Sequence, residues 1–185
     1  MEYQLIRSGR RSLGASIKDG KLVVRAPFRT PIHEIEAFLI KHMAWIERHL
    51  AKDRERREAL RAVRSLSAEE IAALKKGARE VIPARVAHYA EEIGVTYGRV
   101  SIRLQKTRWG SCTARGDLSF NALLLLTPPE VLDAIVVHEL CHRKHMDHSR
   151  RFYAEVLSVM PDYRARRKWL RENGDRLLAM AKREE

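Results

Sequence analysis

The stretch Thr127-Pro-Pro-Glu-Val-Leu-Asp-Ala-Ile-Val-Val-His-Glu-Leu-Cys-His142 decides how this chain is read. Thr127 followed by two prolines and Glu130 suits the start of a helix, with Thr127 as its cap. Val131, Leu132, Ile135, Val136 and Leu140 then recur at helical spacing. The stretch closes on His138-Glu139-Leu140-Cys141-His142, an HExxH motif. Residues four apart lie one turn apart on one helix face, so both imidazoles can meet a single zinc ion. Glu139 points about 100° around the helix from His138, beside the metal rather than on it. That placement suits a general base acting on a zinc-activated water.

A chance HExxH arises in roughly 3% of chains of this composition, so its setting matters. Here a capped, apolar helix arrives at the motif directly after a run of short strands. Catalytic zinc takes a third protein ligand and leaves one position open. On a continuing helix His145 would lie about 10.5 Å along the axis from His138, whereas ligand atoms around one zinc are about 3–3.5 Å apart. The chain must therefore turn back, and Asp147 is placed to cap a new helix through Phe152, Val156 and Leu157. His148, at its start, is the expected third ligand. His145 is the alternative, and Glu155 is the main rival; Asp147 is a weaker carboxylate candidate.

Outward from the motif, two or three short strands are expected, at roughly Val100–Gln105, Trp109–Ala114 and Leu118–Phe120, with a turn at Arg115-Gly116-Asp117. Before them, Ser67-Ala-Glu-Glu70 reads as a capping box. It opens a helix that ends near Gly94 and is kinked or split by Pro83. The N-terminal part reads as a β-hairpin, Ser12–Ile17 and Lys21–Ala26, around the Asp19-Gly20 turn. A helix capped by Thr30-Pro31 then runs to about residue 50. Residues 51–64 are densely charged and read as an exposed helix or a linker. The pattern is α+β, with an N-terminal hairpin and helix region at 1–52, a charged linker or helix extension at 53–66, and a catalytic domain at 67–185.

The chain has 185 residues, 45% hydrophobic and 32% charged, which is globular composition. No apolar run approaches the roughly 20 residues that span a bilayer. The first residues lack the layout of a secretory signal, so no membrane and a cytoplasmic location are expected. Two cysteines, Cys112 and Cys141, make no disulfide framework. Cys141 is expected as a packed thiol, and Cys112 as a strand residue packed on the zinc helix. The net charge is +12, spread over both ends of the chain. It admits a polyanion or nucleic-acid contact through the basic surface.

Arg108-Trp-Gly-Ser-Cys112, Leu118-Ser-Phe-Asn121, Val137-His-Glu-Leu-Cys-His142 with His148-Ser149 and Phe152, and Pro161-Asp162-Tyr163 with Trp169-Leu170 resemble the YgjP-like metallopeptidase family. The N-terminal hairpins and Trp45-Ile46 resemble it too. The resemblance implies a zincin-like, SprT-like catalytic core, an HExxH helix against a small antiparallel sheet. It implies zinc held by His138, His142 and His148, with Glu139 as acid/base and the strand of Trp109 and Ser111 near the active site. Trp109, Ser111 and Asn121 are the expected substrate contacts, although Asn121 and Arg108 suit structural hydrogen bonding equally. Tyr153 and Tyr163 are candidate donors to the reacting centre. Peptide-bond hydrolysis is the leading reading. A metal-dependent phosphoanhydride (nucleotide) hydrolase is one alternative, although the chain has no glycine-rich phosphate loop. A nucleic-acid-associated zinc protein is the other.

Overall fold

The computed structural model describes residues 2–181, and the chain divides into two compact units between Ala62 and Val63. In the first unit, β1 (Gln4–Ser8) pairs parallel with β3 (Lys21–Pro27), and β2 (Gly14–Lys18) pairs antiparallel with it. The β2–β3 hairpin turns where the sequence predicts. Asp19 and Gly20 both take positive φ, 52° and 78°, the backbone that matches a tight turn to the twist of the strands. Leu22, Val24 and Ala26 alternate along β3 onto one face and pack with Ile35, Leu39 and Ile46.

The expected helix to residue 50 is two helices, α1 (Ile32–Lys41) and α2 (Met43–Arg61). They part at His42, whose ring Nδ1 bonds the Phe38 carbonyl at 2.7 Å in competition with the backbone ladder. Pro31, not Thr30, takes the cap position, and no side chain caps α1. Of the two readings of the charged stretch, the helix is observed as far as Arg61, as the end of α2.

The second unit opens on α3 (Ala68–Ile93), with the predicted capping box in place. The Glu70 amide donates to Ser67 Oγ at 3.2 Å and the Ser67 amide to the Glu70 carboxylate at 2.8 Å. Gly94, at φ 73°, ends the helix in the left-handed conformation that glycine accepts at little cost. Pro83 does not split it. The buried positions Ala78, Ile82, Val86, Ala90 and Ile93 hold α3 against the core on one continuous stripe.

Three strands follow in the order β4–β6–β5: β4 (Val100–Arg103), β5 (Gly110–Cys112) and β6 (Leu118–Asn121). The sheet is mixed rather than purely antiparallel. β4 runs parallel to β6, and only β5 is antiparallel to it. A 3-10 turn (Ala122–Leu126) leads into α4 (Pro129–Cys141). Thr127 does not cap α4; its hydroxyl donates to the Leu124 carbonyl at 2.7 Å and closes the 3-10 turn. Ten of the thirteen residues of α4 are buried, which makes it the central helix of this unit, apolar on all sides. Helices α5 (Arg150–Val159) and α6 (Tyr163–Met180) complete it. Ser149, not Asp147, caps α5: its hydroxyl accepts from the Phe152 amide, while Asp147 accepts from the Ser149 amide.

Two carboxyl groups are buried in α4, Asp133 and Glu139, and the first is paired. The Asp133 carboxylate takes the Arg85 Nε of α3 at 2.7 Å and the Tyr89 hydroxyl at 3.2 Å. Asp133→Asn would set an amide nitrogen against the guanidinium. It is expected to lower stability by about 1–3 kcal/mol, read as a lower urea midpoint at unchanged slope. An unchanged midpoint would mean that water screens the pair.

Candidate metal centre

The α4 helix stops one residue short of His142, and the chain reverses through hydrogen bonds from the Arg143 and His145 amides to the Leu140 and Cys141 carbonyls. The reversal returns His148 to the helix. One ligand atom each from His138, His142 and His148 lie within 4.8 Å of one another, and His148 Nε2 is 3.1 Å from His138 Nε2. Around zinc, with bonds near 2.0–2.1 Å, such atoms stand about 3.4 Å apart. The donor set therefore fits that ion with small ring rotations.

Neighbours hold each ring. The His142 Nδ1–H donates to the His145 carbonyl at 3.0 Å. A carbonyl only accepts, so the neutral ring carries its proton on Nδ1 and keeps the Nε2 lone pair for a metal. His138 Nδ1 lies 2.7 Å from the Tyr163 hydroxyl at the start of α6. The buried Phe152 ring stacks on His142 at 4.6 Å between centroids and meets His138 and His148 edge-on at 4.9 Å. Burial drives the His138 pKa down to about 3, helped by Arg167 and the two other histidines. It lowers His142 as well. Both rings are thus neutral at pH 7, the form that binds metals.

The rivals for the third ligand are engaged elsewhere. Glu155 pairs with Lys144 at 2.6 Å. His145 gives its backbone carbonyl to the His142 ring, and its own ring is not among the three that converge. Asp147 stays in the loop, bonded to Ser149.

Glu139 is buried at 6% exposure, and that burial pushes its carboxyl up to about 7, against the opposing pull of Arg167. Its side chain lies on the backbone of β5. A Cβ at Gly110 would come 2.7 Å from Glu139 Oε1 and Cγ. Only glycine lets the strand and the carboxylate approach this closely. Because Cγ, Cδ and Oε1 of Glu139 all stand in the way, Gly110→Ala is expected to displace the carboxylate. A shift of about 1 Å in a reacting group can cost about 100-fold in rate. Kinetics together with metal content check this: loss of metal along with rate would place the damage in the helix rather than in Glu139.

The three expected substrate contacts fare differently. Trp109 is partly buried and lines a groove beside Tyr163, and Ser111 lies midway along β5 at the edge of its sheet. Asn121 is fully buried. Its amide donates to the Gln105 and Arg108 carbonyls at 2.8 and 2.9 Å, and its carbonyl accepts from the Leu123 amide. It therefore braces the loop before β5 rather than facing a substrate. Cys141 is a buried thiol pushed up to about 12, and burial raises Cys112 too. Sequence reasoning missed the clamp on His138, reading Tyr163 as a donor to the reacting centre. It also missed Phe152 as the bed of the three rings. The only sequence signal for Gly110 was a glycine inside a strand, which points to close backbone approach.

Two histidines one turn apart on a buried helix, joined by a third from the loop after it, make the kind of metal site that metallopeptidases carry. The chain belongs to the YgjP-like family, whose metallopeptidase-domain model matches residues 11–72 and 64–173. Two solved structures of metallopeptidase zymogens are similar to about half of it. Abylysin of Pyrococcus abyssi is 26% identical, with 51% of this chain and 93% of that chain covered and a TM-score of 0.45. Jannalysin of Methanocaldococcus jannaschii is 18% identical, with 50% and 95% covered and a TM-score of 0.45. No curated protein sequence matches the chain.

Proposed function

We propose that this metallopeptidase is a zinc enzyme that hydrolyses peptide bonds with Glu139 as general base. The convergence of three histidine ligand atoms within 4.8 Å carries the reading. Three imidazoles suit zinc better than magnesium or calcium, which prefer oxygen ligands. Held by His138, His142 and His148, zinc would supply Lewis acidity, polarising a carbonyl and making water a stronger acid. The protein's own groups do the rest. Tyr163 and the His145 carbonyl fix two of the rings by their outer nitrogens. Glu139, buried beside the three histidines, takes a proton from water and returns it to the leaving amine. β5, at the edge of its sheet, offers backbone groups along which an extended peptide can align by strand addition.

Among the described residues no helix is long and apolar enough to cross a membrane. The free thiols of Cys112 and Cys141 fit a reducing compartment, and we assign the protein to the cytoplasm.

Cutting of an unstructured, uncharged peptide, followed by mass spectrometry, tests the function. Cleavage is expected to stop on chelation and return with zinc. Release of phosphate from a nucleotide under the same metal control, with no peptide cut, would overturn the peptidase in favour of a phosphoanhydride hydrolase.

A further inference from the structure

A groove of about 680 Å³ opens beside the metal centre. Tyr163, which bonds His138, stands in its lining, and Trp109 lines it one residue before the glycine that meets Glu139. Trp109 is seated on α6, where a Cβ at Gly174 would come 3.2 Å from the indole. Cations outnumber acids in the rest of the wall, where Asp175 is the one carboxylate. Arg164, Arg167, Lys168 and Arg171 all line the groove, and all four are exposed.

Their spacing, i, i+3, i+4 and i+7, lays them as one stripe along α6 for about 10.5 Å. Like charges at i, i+4 destabilise a helix, and here Arg164 faces Lys168 and Arg167 faces Arg171. Among the described residues, Lys168 has only a long pairing to Glu172 at 3.9 Å, and Arg164, Arg167 and Arg171 form no salt bridge. The fold thus carries a run of four cations against one acid, Asp175, in this wall, and the run begins next to the residue clamping His138. Arg167 is close enough for its charge to act on His138, Glu139 and Tyr163.

We propose that this groove is a substrate subsite for acidic peptide segments, in which Arg167 and Arg171 take carboxylates on alternate residues of an extended chain beside the scissile bond. The inference rests on the peptidase reading and names its substrate class. Arg167 and Arg171 stand about 6 Å apart along the helix. Alternate side chains of a strand, on one face, repeat every 6.6 Å or so. Guanidinium groups take carboxylates in paired hydrogen bonds, and the Trp109 face gives an apolar wall for the methylenes between them. A linear stripe favours an extended polymer over a compact phosphate, which is usually cradled by backbone amides at a glycine-rich turn.

Fluorescence anisotropy tests it, with the full chain carrying Glu139→Gln so that nothing is cut. The probe is a labelled, C-terminally amidated peptide of alternating glutamate and serine; its glutamine counterpart is the comparison. Tight binding of the glutamate peptide only is expected, weakened about tenfold by Arg167→Gln with Arg171→Gln. Lys76→Gln with Arg79→Gln, an equal charge change at exposed sites on α3, is expected to leave it nearly unchanged. Equal binding of the glutamine peptide would overturn the proposal, as would equal loss in the α3 variant. So would displacement by an oligonucleotide or nucleoside triphosphate at lower concentration than by unlabelled acidic peptide, which would give the groove to phosphates. Zinc content of the same protein separates the two readings. Zinc bound with no acidic-peptide binding sinks the subsite alone, and acidic-peptide binding without zinc sinks the peptidase on which the subsite depends.

Discussion

His148→Ala is expected to lose its metal. Elemental analysis of protein purified without chelator should find about one zinc per wild-type chain, the ratio of a catalytic site, and far less in the variant. His148 suits this experiment because it is exposed, on the loop between α4 and α5. Its loss removes a ligand without opening the core. His142 is a poorer choice: its ring is buried, stacked on Phe152 and bonded to the His145 carbonyl, so its removal mixes metal loss with packing loss. Metal-free wild type and variant should therefore unfold at nearly the same urea concentration, since surface substitutions commonly change stability by less than about 0.5 kcal/mol. Zinc retained in a folded variant would transfer the third ligand to Glu155 or His145. Glu155 would then have to leave the Lys144 ammonium, 2.6 Å away.

Glu139→Gln is expected to do the reverse, keeping zinc and losing catalysis. The amide matches the carboxylate in shape but cannot take a proton, and general-base catalysis is worth about 10²- to 10⁴-fold. The loss should fall on kcat. A loss confined to KM would make Glu139 a binding group instead.

The same substitution has a sign-determined effect on stability. Burial raises the folded-state pKa of Glu139 from 4.5 to about 7. Without metal, the native state then holds a proton that the unfolded chain has given up between those pH values. The contribution of Glu139 to the stability of the metal-free wild type therefore falls as pH rises from about 4.5 to about 7, by roughly 3 kcal/mol at 1.36 kcal/mol per unit, while His138 and His142, both lowered by burial, contribute an opposing rise below about pH 6.5. Metal-free Glu139→Gln has no such proton but keeps the histidines, so it should gain stability relative to the wild type across that pH range. At pH 8 it should be the more stable of the two in urea, even though it is the inactive one. Equal pH profiles would show that Glu139 is solvated in the metal-free protein.

Local chemistry made much of this molecule legible. The Asp19-Gly20 turn, the Ser67/Glu70 capping box and the Gly94 helix end depend on residues within a few positions of one another, where backbone conformation and side-chain reach decide the outcome. The failures at helix starts have the same local character. Thr30, Thr127 and Asp147 each have a cap-forming side chain, but a proline or a better-placed serine holds the cap position. The hydroxyl of Thr127 and the carboxylate of Asp147 found other backbone partners.

By itself, the sequence determined that His138 and His142 share one face of a buried helix, because a four-residue step on an α-helix allows no other arrangement. It also determined that the chain must reverse before a third ligand could join them, because a straight helix carries His145 too far away. Tertiary structure decided the rest. His148 joined the pair, Tyr163 closed on His138 from 25 residues away, Gly110 received the Glu139 carboxylate, and Asn121 turned inward to brace a loop. Each of these outcomes depends on how strands and helices distant in sequence pack into one dense core. No spacing rule along a single element reaches across that packing.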